Sequence, residues 1–478
     1  LISHLTALLL LIVPVATAAQ NFSLPDIGDP SREILGAGEE SRLGRAVFER
    51  LMQGGIVIED PLLQEYVESV GQAIATHAFS DNAGFVFFMV NDLSINAFAA
   101  PGGYIGVNTG LLIATRSESE VAGVLAHELA HVTQRHIARQ FEDQTRMRIP
   151  MAAAMLAGAL LASQGGGDAG AAAMSGVMAF DAQRQINFTR RHESEADRVG
   201  VDLLVKSDYD AQGLPDFFQR LYEASRVYGT NVPEFLRTHP VESRRIAETR
   251  ERIEQLGGGK RRRDPLDYHV AQARARVLSS QSPDRLAEQF EEAIRTGSHR
   301  DVSGQRYGQA LSLLRAGHTD SAREQSARLL DTHPEYLPFL LLAADLELQA
   351  GRTDTALERY REAESLYPGD YTLALSHGSA LIQARRYRSA MNVLRDQLQN
   401  NILRSSAHAL YARAARGAGL MAESHANMAT YYSLRGGLRL AIEQTELALG
   451  SADVTPYQRS RLQAQLESLR NRSAEEDA

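Results

Sequence analysis

The strongest constraint on this chain is a spacing. Gly317 and Gly351 stand 34 residues apart, as do Ala322 and Ala356, Ala356 and Ala390, and Pro334 and Pro368. Gly419 lies two further steps of 34 beyond Gly351. The residues between these markers are helix formers, with framework positions such as Leu348 and Tyr360 in keeping. A unit this short cannot bury its own apolar face, so successive units must stack on one another. Small residues fall where paired helices touch, and proline falls where a unit ends. The period therefore demands a column of helical hairpins.

A 34-residue helical period is the tetratricopeptide (TPR) signature. Five to six such hairpins over residues 266–470 predict an all-α TPR solenoid, followed by a disordered tail over 471–478. Residues 257–265, with Lys260-Arg261-Arg262-Arg263-Asp264-Pro265, read as a linker. A patch for nucleic acid or anionic lipid is the alternative there, but four basic residues between glycines and a proline are usually a solvated joint. The chain's 478 residues leave room for at least one more domain in front of the array. Net charge of −9 argues against nucleic acid as a partner. There are no cysteines, so disulfides, thiol catalysis and thiolate metal sites are excluded, and any metal must be held by His and carboxylates.

Residues 1–19 carry an apolar run, Ala7 to Val13, then Pro14 and the small residues Ala16-Thr17-Ala18-Ala19. That pattern is a secretory signal peptide cleaved near Ala18 or Ala19, although the basic segment that usually opens one is missing before Leu1 and its true start is expected upstream. Residues 20–256 form the second domain. Helical spacing marks Glu39 to Met52, and Asp60-Pro61 starts a helix that runs to about His77. Phe85 to Val90 reads as a buried strand. Asn96-Ala97-Phe98-Ala99 and Tyr104 to Val107 flank the turn residues Pro101-Gly102-Gly103 and make a hairpin. If that ribbon is an exposed edge, it can pair with an extended peptide; a hairpin paired wholly within its own sheet is the alternative. Residues 147–180 turn small and apolar, with a glycine run at Gly165 to Gly167. They read as two packed small-residue helices around a flexible loop, or as a lid or a surface in peripheral contact with a membrane. Asn187 to Val205 is again helical, and His239-Pro240 opens a short helix that stops at Leu256 to Gly259.

The chemistry is concentrated in Val124 to His131, an apolar helical run that spells H-E-x-x-H. His127 and His131 are four apart and share one face of a helix, where two imidazoles can hold one Zn²⁺. Glu128 between them is placed to take a proton from an attacking water. The helix is expected to continue through Arg135, His136 and Arg139, which points His136 away from the ligand face. A catalytic zinc needs a third protein ligand. Glu193 and Asp197, four apart, share a helical face. One carboxylate there can complete the set while the other takes an imidazole N–H. His192 is a rival ligand, but it leaves that pair without a role. Glu195 points elsewhere and reads as a surface charge.

His127-Glu128-Leu129-Ala130-His131, followed some 60 residues later by Glu193-Ser194-Glu195-Ala196-Asp197, resembles the gluzincin peptidases of the CAAX-prenyl-protease superfamily. Asn96 to Ala99 with Pro101-Gly102-Gly103, and Thr238-His239-Pro240 with Arg245, extend the resemblance across the front domain. With a signal peptide before it and TPRs behind, the chain is similar to bacterial periplasmic members of that group. The resemblance implies an α+β zincin-like metallopeptidase domain, mostly helical with a small sheet, holding one Zn²⁺ per chain. It implies that Glu193 is the third ligand and Asp197 its supporting carboxylate. It also implies that His239 lies near the metal, as a cap that holds the enzyme shut or as a catalytic group. His239 and Arg245 are candidate donors to the oxyanion. Unfolded or misassembled polypeptides are the implied substrates, and outer-membrane assembly machinery is the implied partner of the TPR domain. The competing reading is a TPR scaffold or chaperone whose metal site is latent or structural. An integral-membrane peptidase is disfavoured because no run is long enough to span a bilayer.

Overall fold

In the computed structural model of the chain the described residues are 36–78, 84–147, 167–228, 233–258, 263–399 and 401–476. The expected signal peptide over 1–19, most of the basic stretch 260–263, and the small-residue segment from Met151 to Gly166 lie outside them.

The front domain builds its helices around a three-stranded sheet. Helices α1 (Ala37–Gln53) and α2 (Pro61–Ala75) come first, and α2 starts on Pro61 with the Asp60 side chain accepting from the Leu63 N–H at 3.1 Å. Strand β1 (Val86–Val90) lies parallel to β3 (Tyr104–Asn108), and β2 (Ala97–Ala100) lies antiparallel to β3, so the order is β1-β3-β2. The expected hairpin is present, and the parallel β1 on its far side leaves β2 at the edge. Helix α3 (Thr109–Ala114) leads into α4 (Glu118–Thr133), which carries the metal motif. Ser117 caps α4 by accepting from the Glu120 N–H, while the Glu120 carboxylate accepts from the Arg116 N–H. From Glu118 to Ala130 every residue of α4 is buried, which makes it the axis of the domain.

Two expectations fail around α4. The helix does not run on through His136. It ends at Thr133, Arg135 adopts left-handed backbone at φ 53°, and a new helix, α5, occupies 136–147. Neither glycine nor proline marks this break. The later helices are α6 (Gly167–Lys206), α7 (Gly213–Tyr228), α8 (Glu234–Thr238) and α9 (Ser243–Gln255). The last of these begins after His239-Pro240, so those two residues form the joint between α8 and α9 and not a helix start.

Behind the front domain stand twelve α-helices among the described residues, from Leu266 to Glu476, and from the second (Pro283–Thr296) onward each packs on the next. The repeat has a physical signature in the backbone. Gly317, Gly351 and Gly419 turn left-handed at φ 86°, 75° and 80° between the helices of a hairpin. Arg385, at the same step, adopts φ 56° without glycine's freedom. Ala322, Ala356 and Ala390 are fully buried where helices meet. The last helix, Pro456–Glu476, continues six residues past the expected end of the array at 470.

The expected joint at 257–265 is not a free linker. Asp264 accepts from the Glu118 N–H at 2.8 Å, at the start of α4. The first TPR helix, α10 (Leu266–Leu278), packs Tyr268, Ala271 and Ala275 into the same core as α2, α4 and α7. Tyr268 donates to the Thr115 carbonyl at 2.9 Å. Arg274 forks onto Asp60 at 2.6 and 2.7 Å, and the array curves so that Arg435 reaches Glu59 at 2.6 and 2.8 Å. Among the described residues no helix is long and apolar enough to cross a membrane.

One contact between the two parts has a pH signature. Glu65 on α2 is pushed up from the ordinary 4.5 to about 7, by burial first and by the Asp370 carboxylate second, with Arg404 opposing. The folded chain therefore keeps this proton where the unfolded chain has lost it, and the stability it contributes drains away as pH rises from about 4.5 through 7. Glu65→Gln is expected to leave the thermal midpoint unchanged at pH 5 and to raise it at pH 8, read by calorimetry at both values.

Candidate metal centre

Two helices and one joint bring the site together. α4 presents His127, Glu128 and His131, and α6 crosses it closely enough that Gly200 faces the backbone of Ala126 and His127. A Cβ on Gly200 would sit 3.3 Å from those atoms, a tighter contact than most side chains make, which glycine avoids. That crossing sets Glu193 and Asp197 beside the two histidines. The joint between α8 and α9 supplies His239, held by its own N–H to the Phe235 carbonyl at 2.7 Å and by stacking on the Phe235 ring. All but the half-buried His131 are buried.

The donor atoms of His127, His131, Glu193 and His239 converge. His127 Nε2 lies 3.1 Å from His131 Nε2, 3.3 Å from His239 Nδ1 and 3.4 Å from Glu193 Oε2. His239 Nδ1 lies 3.2 Å from Glu193 Oε1, and His131 Nε2 lies 3.5 Å from that oxygen. Ligand bonds of about 2.0–2.1 Å set at tetrahedral angles give edges of about 3.3 Å. These four residues are also a group whose ligand atoms all lie within 4.8 Å of one another. The charges fit a cation as well. Three buried carboxylates, Glu128, Glu193 and Asp197, meet here against one guanidinium, Arg245. A divalent ion offsets the remainder, which would otherwise be costly to bury.

The surrounding groups hold the donors in place. Asp197 Oδ1 lies 3.0 Å from His127 Nδ1, the nitrogen that faces away from the donor cluster. Arg245 donates to both Asp197 oxygens at 2.7 and 2.8 Å, to the Pro240 carbonyl at 2.7 Å, and lies 3.0 Å from Glu193 Oε2. Most of its N–H groups thus anchor the carboxylates and the His239 joint. Burial lifts the Glu193 and Asp197 carboxyls, but the partners win: hydrogen bonds to His127 and His239 hold Glu193 well below the usual range, and Arg245 holds Asp197 down. Burial alone would depress His127, and its contacts with Asp197 and Glu193 raise it to about 9, a sign of how strongly the pocket favours positive charge.

Glu128 differs. Burial raises its carboxyl, against the pull of His239 and His127 and an N–H bond from the Ala99 backbone. Its Oε1 faces His239 Nε2 at 3.4 Å. The bond from Ala99 shows that the β2 backbone turns outward at the sheet edge, toward the site. Of the expected edge residues, Asn96 and Ala97 are buried, whereas Phe98 and Ala99 are half-exposed.

His192 does not join the donors; it stacks on His136 at 4.2 Å. His136, expected to point away, instead places Nδ1 2.9 Å from His131 Nδ1, because the left-handed turn at Arg135 swings it back. Glu195, expected to be a surface charge, lies 3.2 Å from His136 Nε2. Both were illegible from a helical-wheel argument that assumed an unbroken helix.

Residues 61–253 match the family described as Peptidase family M48. The beta-barrel assembly-enhancing protease of Escherichia coli (strain K12) is 32% identical over 478 residues, covering 98% of this chain and 96% of its own. The chain belongs to this peptidase family. A putative beta-barrel assembly-enhancing protease of Vibrio cholerae is 35% identical over 388 residues, covering 80% of this chain and 79% of its own. More distantly, the mitochondrial metalloendopeptidase OMA1 of Arabidopsis thaliana is 28% identical over 184 residues, 38% of this chain and 35% of its own. The M48 match spans the metal helices and the joint that carries His239, so the cluster is that of a metalloendopeptidase.

Proposed function

We propose that this chain is a zinc-dependent endopeptidase of the bacterial periplasm, exported through its signal peptide, that cleaves unfolded or misassembled polypeptides during outer-membrane protein assembly. The observation that carries the reading is the converging set His127, His131, Glu193 and His239 with Glu128 beside it. Imidazole and carboxylate donors suit zinc. The names of the relatives support the assembly role, and the TPR array supplies surfaces for partners in the assembly machinery or for chaperone-like holding of substrates. Phe141, Met178 and Ile186 expose apolar side chains on α5 and α6 and favour peripheral contact with a membrane or a client on that side.

Zinc, when bound, supplies Lewis acidity and makes a water acidic enough to lose its proton near pH 7. Glu128 takes that proton and returns it to the leaving amine. Its buried, upshifted carboxyl suits both halves of the exchange. Asp197, behind His127, fixes the tautomer that leaves Nε2 free for the metal. The β2 edge pairs with an extended substrate backbone, so selection falls on strand-like or unfolded chain.

His239 occupies the position that a catalytic site leaves open for water. Its segment is tied to the start of β2: the Phe235 N–H donates to the Ile95 carbonyl at 3.0 Å, and Thr238 Oγ1 lies 3.5 Å from Asn96 Oδ1. A substrate strand pairing along that edge competes with these bonds, which links substrate entry to release of the lock.

Glu128→Gln should lower cleavage of unfolded casein by about 10²–10⁴-fold while zinc content stays at one ion per chain; retained cleavage would sink the peptidase assignment of this site. His239→Ala should raise basal cleavage of the same substrate. A fall would make His239 a participant in catalysis and not a lock.

A further inference from the structure

We infer that Glu195 and His136 form, with the ligand His131, a directed hydrogen-bond chain that sets the tautomer and aim of that ligand. The inference rests on the reading of the cluster as a metal centre. His131 offers Nε2 to the cluster, where it lies 3.1 Å from His127 Nε2. A neutral imidazole that ligates through Nε2 carries its proton on Nδ1. That Nδ1 lies 2.9 Å from His136 Nδ1, so His131 donates and His136 accepts. The proton of His136 must then sit on Nε2, which faces Glu195 Oε2 at 3.2 Å and donates to it. Arg139 Nη1 donates to the same oxygen at 3.1 Å. Each step fixes the next, from the carboxylate to the metal-facing nitrogen.

The backbone is shaped for this contact. Five residues along an unbroken helix would turn His136 about 140° away from His131. The left-handed Arg135, at φ 53°, ends α4 and starts α5 so that His136 returns to the ligand. A non-glycine residue rarely holds that conformation, which marks the turn as over-determined by its surroundings. His192 stacks on the His136 ring at 4.2 Å with planes 8° apart and holds its orientation. The two metal histidines thus receive matched support: His127 from Asp197 directly, 3.0 Å from Nδ1, and His131 from Glu195 through an intervening imidazole. His136 and Glu195 are positioning residues, since neither reaches substrate or metal.

The test is zinc affinity of the full chain, measured by competition with a chromophoric chelator, for wild type, His136→Leu and His136→Asn. The Asn Oδ1 stands where His136 Nδ1 stood and can still accept from His131. His136→Leu should bind zinc about 10–100-fold more weakly, and His136→Asn should recover most of that loss. The thermal midpoint of the metal-free protein should be the same in all three. Equal affinity in wild type and His136→Leu would overturn the inference. So would equal losses in the Leu and Asn variants, or a metal-free midpoint that falls as far as the zinc-loaded one, since either result makes the ring mere packing. A wild-type chain that binds no zinc would overturn the metal reading and this inference with it.

Discussion

Everything in the site depends on how closely α6 crosses α4. Gly200 meets the backbone of Ala126 and His127 with no room for a Cβ at ordinary contact distance, and this crossing sets the Glu193 and Asp197 carboxylates against the two histidines of α4. The helices also bury these groups almost completely. Burial raises the electrostatic stakes: unpaired carboxylates would protonate or unfold the domain, whereas paired ones become a rigid cation site. Arg245, gripping Asp197 with two bonds and reaching Glu193, is the permanent part of that compensation. The metal is the removable part.

The same logic connects site and array. The TPR solenoid is not appended to a finished domain, because its first helix supplies Tyr268, Ala271 and Ala275 to the core that surrounds α4. Asp264 and Ser117 together close the N-terminus of α4, one from the approach to the array and one from the helix itself. The far end of the array returns to the front domain through Arg435 and Glu59. Asp60, at the start of α2, adds a third tie by accepting from Arg274 of the first array helix.

Where a signal was local and periodic, the sequence alone was sufficient. The 34-residue step, the hairpin around Pro101-Gly102-Gly103 and the pairing of His127 with His131 each follow from spacing, and each appears in the structure. The approach of His239 to the cluster was legible only through family resemblance, since a lone histidine before proline carries no signal of its own. Three features were not legible. β1 pairs with β3 through tertiary packing, which leaves β2 as the edge. Arg135 breaks its helix without glycine or proline, so a helical wheel misplaced His136 and left Glu195 without a partner. The grip of Arg245 on Asp197 and on the Pro240 carbonyl joins residues far apart in the chain, which no spacing reports.

The central claim is that four protein atoms, three imidazole nitrogens and one carboxylate oxygen, close around a single ion in the resting chain. X-ray absorption at the zinc edge of the zinc-loaded full-length protein tests it most directly. The account predicts one zinc with three histidine nitrogens and one carboxylate oxygen, and with a histidine replaced by water in His239→Ala. A resting spectrum with two histidines and a water, unchanged by His239→Ala, would contradict it.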